Sequence, residues 1–209
     1  KRLRLPARAG RRGLTVAESN GPWGELADDE SRDLWDSFAP LPEPGAHAIL
    51  DAFVARKRIT VDALRRIGTR IDGNVLVFAF PDGLKFRDLE SGRRWNELGT
   101  EWRRLKIVPA GPRPSDTVVI AEGETDAARL TLLLPDVDVA ILPAGARTWH
   151  SGFAAALRRY RRVLVGTDND AAGDEGAAAI MATLPQAVRY APPEGCKDWC
   201  ALDGEAPPL

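Results

Sequence analysis

Histidine, methionine and cysteine are scarce in this chain of 209 residues, with two, one and two copies. Two histidines (His47, His150) and two cysteines (Cys196, Cys200) leave no paired ligands for a zinc ribbon. The cysteines sit close together near the end, where they could close only a small local loop. A reduced, cytoplasmic protein is the simpler expectation. No apolar run approaches the roughly 20 residues that span a bilayer, so no membrane partner is expected. The opening Lys1-Arg2-Leu3-Arg4 lacks the apolar stretch of a signal peptide, and the missing initiator Met reads as the start of a fragment.

What is present is ordinary for a soluble globular chain, 44% hydrophobic and 28% charged, with room for one large domain or two small ones. The net charge of −1 conceals an asymmetry. Residues 47–115 carry 14 basic and 8 acidic side chains, and residues 116–209 carry 8 basic and 14 acidic. A basic module followed by an acidic one suits a protein that holds a polyanion on one part and metal ions on the other. Two solvated surfaces of opposite sign that dock together would give the same count.

Residues 1–45 read as an arm or linker with one docked helix, Ser31–Phe38, broken off by Pro40, Pro42, Pro44 and Gly45. A basic α+β module occupies 46–114. Ile49, Leu50, Phe53 and Val54 have helical spacing, and Thr60 is placed to cap a second short helix that stops at Gly68. Two strands follow, Val75–Phe80 and Leu84–Leu89, around a Pro81-Asp82-Gly83 turn. Lys85 and Arg87 share a face of the second strand. With the tryptophans and arginines of 93–106, they suit phosphate contacts and base stacking.

Residues 115–209 alternate β and α. The expected strands are Thr117–Ala121, Val137–Leu142, Val163–Gly166 and Ala187–Tyr190, with helices near Thr125–Leu134, Ser151–Tyr160 and Ala171–Leu184. The expectation is an α/β fold, a mostly parallel sheet with helices on both faces. In such sheets ligands collect at the C-terminal strand ends. The first strand ends at Glu122, and the third at Asp168-Asn169-Asp170. Three acids at two strand ends exceed what helix capping requires, and clustered carboxylates repel unless a cation joins them. Magnesium, a hard ion with oxygen ligands, fits. Asp126, Asp174 and Asp198 could add further oxygens, although for Asp126 and Asp174 a capping role is equally expected. Glu124 is expected to be solvated.

Glu122-Gly123 after an apolar strand, followed by Asp168-x-Asp170-x-Ala172-Gly173, resembles the Toprim domain. Gly195-Cys196-Lys197-Asp198-Trp199 resembles the Lys-Asp motif that closes this region in primases. Leu84-Lys85-Phe86-Arg87 resembles the basic subdomain preceding it in the primase RNA-polymerase core. The likeness spans about residues 47–202. It implies a Toprim-like fold behind a small basic subdomain, with Glu122 as the acid/base or metal-coordinating glutamate. It also implies that Asp168 and Asp170 hold Mg²⁺ or Mn²⁺, with Asp126 and Asp198 close by, and that Lys85 and Arg87 contact nucleotide or template. The implied activity is metal-dependent synthesis of RNA primers from ribonucleoside triphosphates on single-stranded DNA, with a replicative helicase as a partner in cis or in trans. A Toprim nuclease, or a nucleic-acid-binding module of a replication protein, are the alternatives. Tyr160 and Tyr190 fall inside the pattern itself, which argues against a topoisomerase nucleophile.

Overall fold

In the computed structural model, residues 29–113 and 115–209 are described, so most of the expected arm over residues 1–45 lies outside the described residues. The first half places α1 (Asp29–Ser37), β1 (Ala39–Pro40), α2 (Ala48–Arg56) and α3 (Val61–Arg66) before four further strands. These are β2 (Thr69–Asp72), β3 (Val75–Phe80), β4 (Gly83–Asp88) and β5 (Arg94–Asn96). They form an antiparallel sheet in the order β1-β2-β3-β4-β5. Local chemistry sets the boundaries. Thr60 Oγ1 accepts the Ala63 N–H at 3.0 Å to start α3, and Gly68, with φ of 64°, takes the left-handed turn after it. His47 starts α2 in the same way: its Nδ1 accepts the Leu50 N–H at 3.2 Å. Pro81-Asp82 form the two-residue hairpin loop between the Phe80 and Gly83 pair. The Asp82 carboxylate accepts the backbone N–H groups of Arg103 and Arg104 at 2.8 and 2.7 Å.

Residues paired across strands share a face. Phe78 pairs with Lys85, Leu76 with Arg87, and Arg87 with Arg94. That face is apolar at Ile71, Leu76, Phe78 and Phe80, where α2 supplies Leu50 and Phe53, and α3 supplies Leu64 with Ile67 at its C-cap. At β4 and β5 it turns basic. The opposite face, with Val77, Ala79, Leu84 and Phe86, packs on Trp35 of α1.

The second half contains β6 (Lys106–Val108), β7 (Thr117–Ala121), α4 (Glu124–Leu133), β8 (Asp138–Ile141) and α5 (Ser151–Leu157). It continues with β9 (Arg162–Gly166), α6 (Ala171–Thr183), β10 (Ala187–Arg189) and a closing 3-10 turn, Trp199–Ala201. The sheet order is β10-β9-β7-β8-β6. All neighbours are parallel except β6 and β8. The strand β6 is not signalled by the sequence. Three residues between a basic run and a Pro/Gly stretch are too short to show a period, yet they pair into the second sheet rather than the first.

Alternate residues of β7 separate two cores. Val119 and Ala121 join Leu164 and the α4 residues Ala127, Ala128 and Leu130. Val118 and Ile120 join Val163, Val165, Phe153 and Leu157 of α5, and Ala177 and Ile180 of α6. Helices thus cover both faces. The α4 core is continuous with Leu76, Phe78 and Leu64 of the first half, so one apolar layer binds both sheets. Cutting such a side chain to Ala costs about 2–5 kcal/mol. Lys106, fully buried in this layer, donates its ammonium to the carbonyls of Ile67 and Ala79. Burial pulls its pKa down to about 7, partly offset by Glu124. Among the described residues no helix is long and apolar enough to cross a membrane.

Candidate functional site

The parallel strands β7 and β9 end side by side, Ala121 opposite Gly166. Each chain segment past its strand end carries acids. Glu122 Oε2 accepts the backbone N–H of Asp168 at 3.1 Å, tying the two ends together. The Asp168 carboxyl is pushed up to about 7, first by burial and then by Asp126, Glu122, Asp198 and Asp170. These are the five acids that the resemblance implies, without Asp174, and Asp168 lies within the field of the other four. Its Oδ1 is buried with no hydrogen-bond partner.

Asp126 lies in the first turn of α4 but does not cap it, because the capping position is Gly123 and makes no side-chain bond. Its carboxylate instead accepts the Trp199 N–H at 3.1 Å. Burial, then Asp198, lifts its pKa to about 6. Asp198 caps the last 3-10 turn, accepting the Ala201 N–H at 2.8 Å, and lies 3.7 Å from Lys57. Asp126, Asp198 and Cys200 each offer a ligand atom within 4.8 Å of the others. Burial pushes the Cys200 thiol up and keeps it protonated, so oxygens are the donors on offer. The two carboxylates of that group fit Mg²⁺ or Mn²⁺ better than a thiolate-seeking ion; Asp168, whose Oδ1 is unpartnered, is not one of the three.

Asp170 has a second occupation. It is the N-cap of α6, accepting the Gly173 N–H at 3.0 Å, and lies 3.4 Å from Lys197. The Gly173 bond, then Lys197, hold its carboxyl below the usual range. The capping role that the sequence offers for Asp126 and Asp174 therefore falls on Asp170. Gly173 makes this corner possible, since a Cβ there would lie 2.0 Å from the Asp168 carbonyl oxygen.

The basic face of β4 looks toward this end of α4. Lys85 pairs with Glu124, and their side chains are only 15% and 10% exposed. Glu124 is thus buried and ion-paired, not solvated as its sequence neighbours suggest. Arg87 lies over the Phe53 ring at 5.0 Å, with its Nε buried and unpartnered. Burial, then Arg94, lowers its pKa. Trp199 is wholly buried, donating to Gly166 O at 2.8 Å. Cys196 and Cys200 are free. His47 and His150 cap α2 and α5. Tyr160 is buried on Asp138, 2.7 Å away, with its hydroxyl pushed up to about 12 by burial, which is no setting for a nucleophile.

Sequence reasoning misses Arg189, whose guanidinium reaches Val165, Thr167, Asp168 and Asp174. Nothing in a three-residue strand signals it. Lys57 is missed too, because its meeting with Asp198 joins residues far apart in the chain.

No family model matches the chain. Among solved structures, the primase fragment of the bacteriophage T7 primase-helicase protein is 18% identical, with a TM-score of 0.55 over 78% of this chain and 68% of that one. The DnaG primase catalytic domain bound to single-stranded DNA is 13% identical, with a TM-score of 0.60 over 81% of this chain and 71% of that one. At these identities the likeness is one of fold: the mixed α/β architecture is that of phage and bacterial primase catalytic cores. In sequence the chain is 32% identical over 114 residues, 54% of its length, to the Gene 57 protein of Mycobacterium phage D29, and covers 72% of that protein. The chain belongs to the family of the Gene 57 protein of Mycobacterium phage D29.

Proposed function

We propose that the chain is a primase-type nucleotidyltransferase core that makes RNA primers on single-stranded DNA, its parallel half a Toprim-type sheet. The observation that carries this reading is the acid cluster around Asp168, opposite the basic face of β4, within a fold shared with primase catalytic cores. Glu122, Asp126, Asp168 and Asp198 would hold Mg²⁺ or Mn²⁺, with Asp170 at the margin. A bound divalent cation supplies charge neutralisation for a transferring phosphoryl group.

The chain's own residues supply the rest. The Arg87 guanidinium, half-buried over the Phe53 ring, would meet a phosphate oxygen. Arg94, beside it and exposed, extends the cationic surface for a polyanion. Lys85 adds positive charge but shares it with Glu124. Glu122 holds the Asp168 amide with one oxygen, which leaves the other to face the site as acid/base or ligand. The DnaG structure contains single-stranded DNA, and the T7 protein joins primase to helicase. A template strand, ribonucleoside triphosphates and a helicase in cis or in trans are accordingly the partners proposed here.

The test incubates the protein with single-stranded DNA, labelled ribonucleotides and Mg²⁺ or Mn²⁺. Labelled oligoribonucleotides that vanish with Asp168→Asn are expected. Degradation of the DNA without synthesis would replace the proposal with a nuclease, and binding alone with a nucleic-acid-binding module.

A further inference from the structure

Arg189 is the last residue of β10, paired with Val165. Beyond that pair β9 ends at Gly166, and the chain runs on to Asp168 with no strand on this flank among the described residues. The Val165 carbonyl still accepts the Tyr190 N–H at 3.0 Å, but those of Thr167 and Asp168 are met by a side chain. Arg189 Nη1 donates to Val165 O at 3.0 Å and to Thr167 O and Thr167 Oγ1 at 2.9 Å. Nη2 donates to Asp168 O at 2.9 Å and to Asp174 Oδ1 at 3.0 Å. The buried Thr167 hydroxyl passes the link on, donating to Gly173 O at 2.8 Å. For Thr167 and Asp168 the guanidinium thus supplies donors that a neighbouring strand would otherwise give.

The consequence falls on Asp168. One side of its backbone is held by Arg189, and the other by its own N–H on Glu122 at 3.1 Å. Its Oδ1 has no partner, so the carboxylate's direction comes from the backbone beneath it. We infer that Arg189 is a positioning residue that holds the Asp168 carboxylate at the place where a divalent cation binds. The inference rests on the metal reading of the acid cluster. The planar fork matters, because a lysine has one compact donor group and cannot span three carbonyls. Asp174, 67% exposed on its side chain, is an accessory contact.

The test measures Mn²⁺ binding by calorimetry, and amide hydrogen exchange at Asp168 and Asn169 in metal-free protein. Arg189→Met is expected to weaken Mn²⁺ binding by about 10- to 100-fold, as loss of an outer-shell partner does, with Arg189→Lys between it and the parent and Asp174→Asn close to the parent. Amide exchange at Asp168 and Asn169 should quicken while that of β7 does not. Unchanged Mn²⁺ affinity in a folded Arg189→Met overturns the inference, as does unchanged exchange at Asp168. If Arg189→Met does not fold, Arg189→Lys carries the test, and parental affinity in that variant overturns it. Should the parent bind no Mn²⁺ that Asp168→Asn removes, the metal reading fails, while the exchange data still report whether Arg189 holds Asp168.

Discussion

Asp168 and Asp170 stand two apart in the sequence, yet their surroundings drive their carboxyls in opposite directions. Asp168 is raised to about 7 by burial among other acids, and Asp170 is lowered by the α6 cap. The folded Asp168 value lies above the unfolded carboxylate's, near 3.9, so the unfolded chain ionises first. Asp168 therefore contributes stability that is fully present below about pH 4 and is lost as pH rises to about 7. In metal-free protein Asp168→Asn should flatten that decline in urea unfolding and remove Mn²⁺ binding, with the circular dichroism unchanged. Asp170→Ala should instead lower stability at pH 7 through the lost cap, with no such dependence on Asp168 ionisation. Equal behaviour of the two variants in both measurements would contradict this division. The acids themselves are legible in the sequence because an apolar run ending in carboxylates marks a strand tip. Which carboxylate a helix claims is not, because that depends on where α6 begins relative to Gly173.

Among the elements, α4 and β4 are joined by the Lys85–Glu124 pair. The sequence reading places Lys85 on a basic strand face, from which Lys85→Ala would weaken nucleotide or template use without preventing metal binding. The structure gives a different expectation. Lys85→Ala leaves a buried carboxylate without its partner and should destabilise by about 3 kcal/mol or more. Adding Glu124→Gln should restore much of that loss, by denaturant unfolding, and expose any remaining effect on template binding. No recovery in the double variant would show that the pair is not what Lys85 supports. The α6 corner makes a second demand. Gly173→Ala puts a methyl against the Asp168 carbonyl and should displace the loop, lowering Mn²⁺ affinity more than overall stability. The Asp168-x-Asp170-x-Ala172-Gly173 pattern shows that small residues are needed here, but not that the Gly173 contact is with Asp168 itself.

For the whole molecule, Lys106 joins the two sheets: it sits on β6, in the second, and donates to Ala79 of β3, in the first. Its folded pKa, about 7, lies below that of an unfolded lysine, near 10.4, so between those values the unfolded chain binds more protons. Its contribution to stability is full above about pH 10.4 and is lost as pH falls through about 7. Lys106→Met should remove this alkaline gain, read as the slope of unfolding free energy from pH 7 to 10. A slope equal to the parent's would mean that Lys106 is not the group titrating. The basic count of residues 47–115 hides this lysine among surface arginines, because composition does not register burial.

Local chemistry accounts for the β/α alternation, the Thr60 cap, the Pro81-Asp82 hairpin and the common face of Lys85 and Arg87. Each follows from periods and turn chemistry that act over a few neighbouring residues. It also marks the acids, since strand tips are local features. Only packing assigns β6 to the second sheet, buries the ionisable groups of Glu124 and Lys106, and gives Asp170 to α6. It alone brings Arg189 to the backbone of Asp168. Those outcomes depend on the distance and desolvation of groups widely separated along the chain, and no local pattern encodes either.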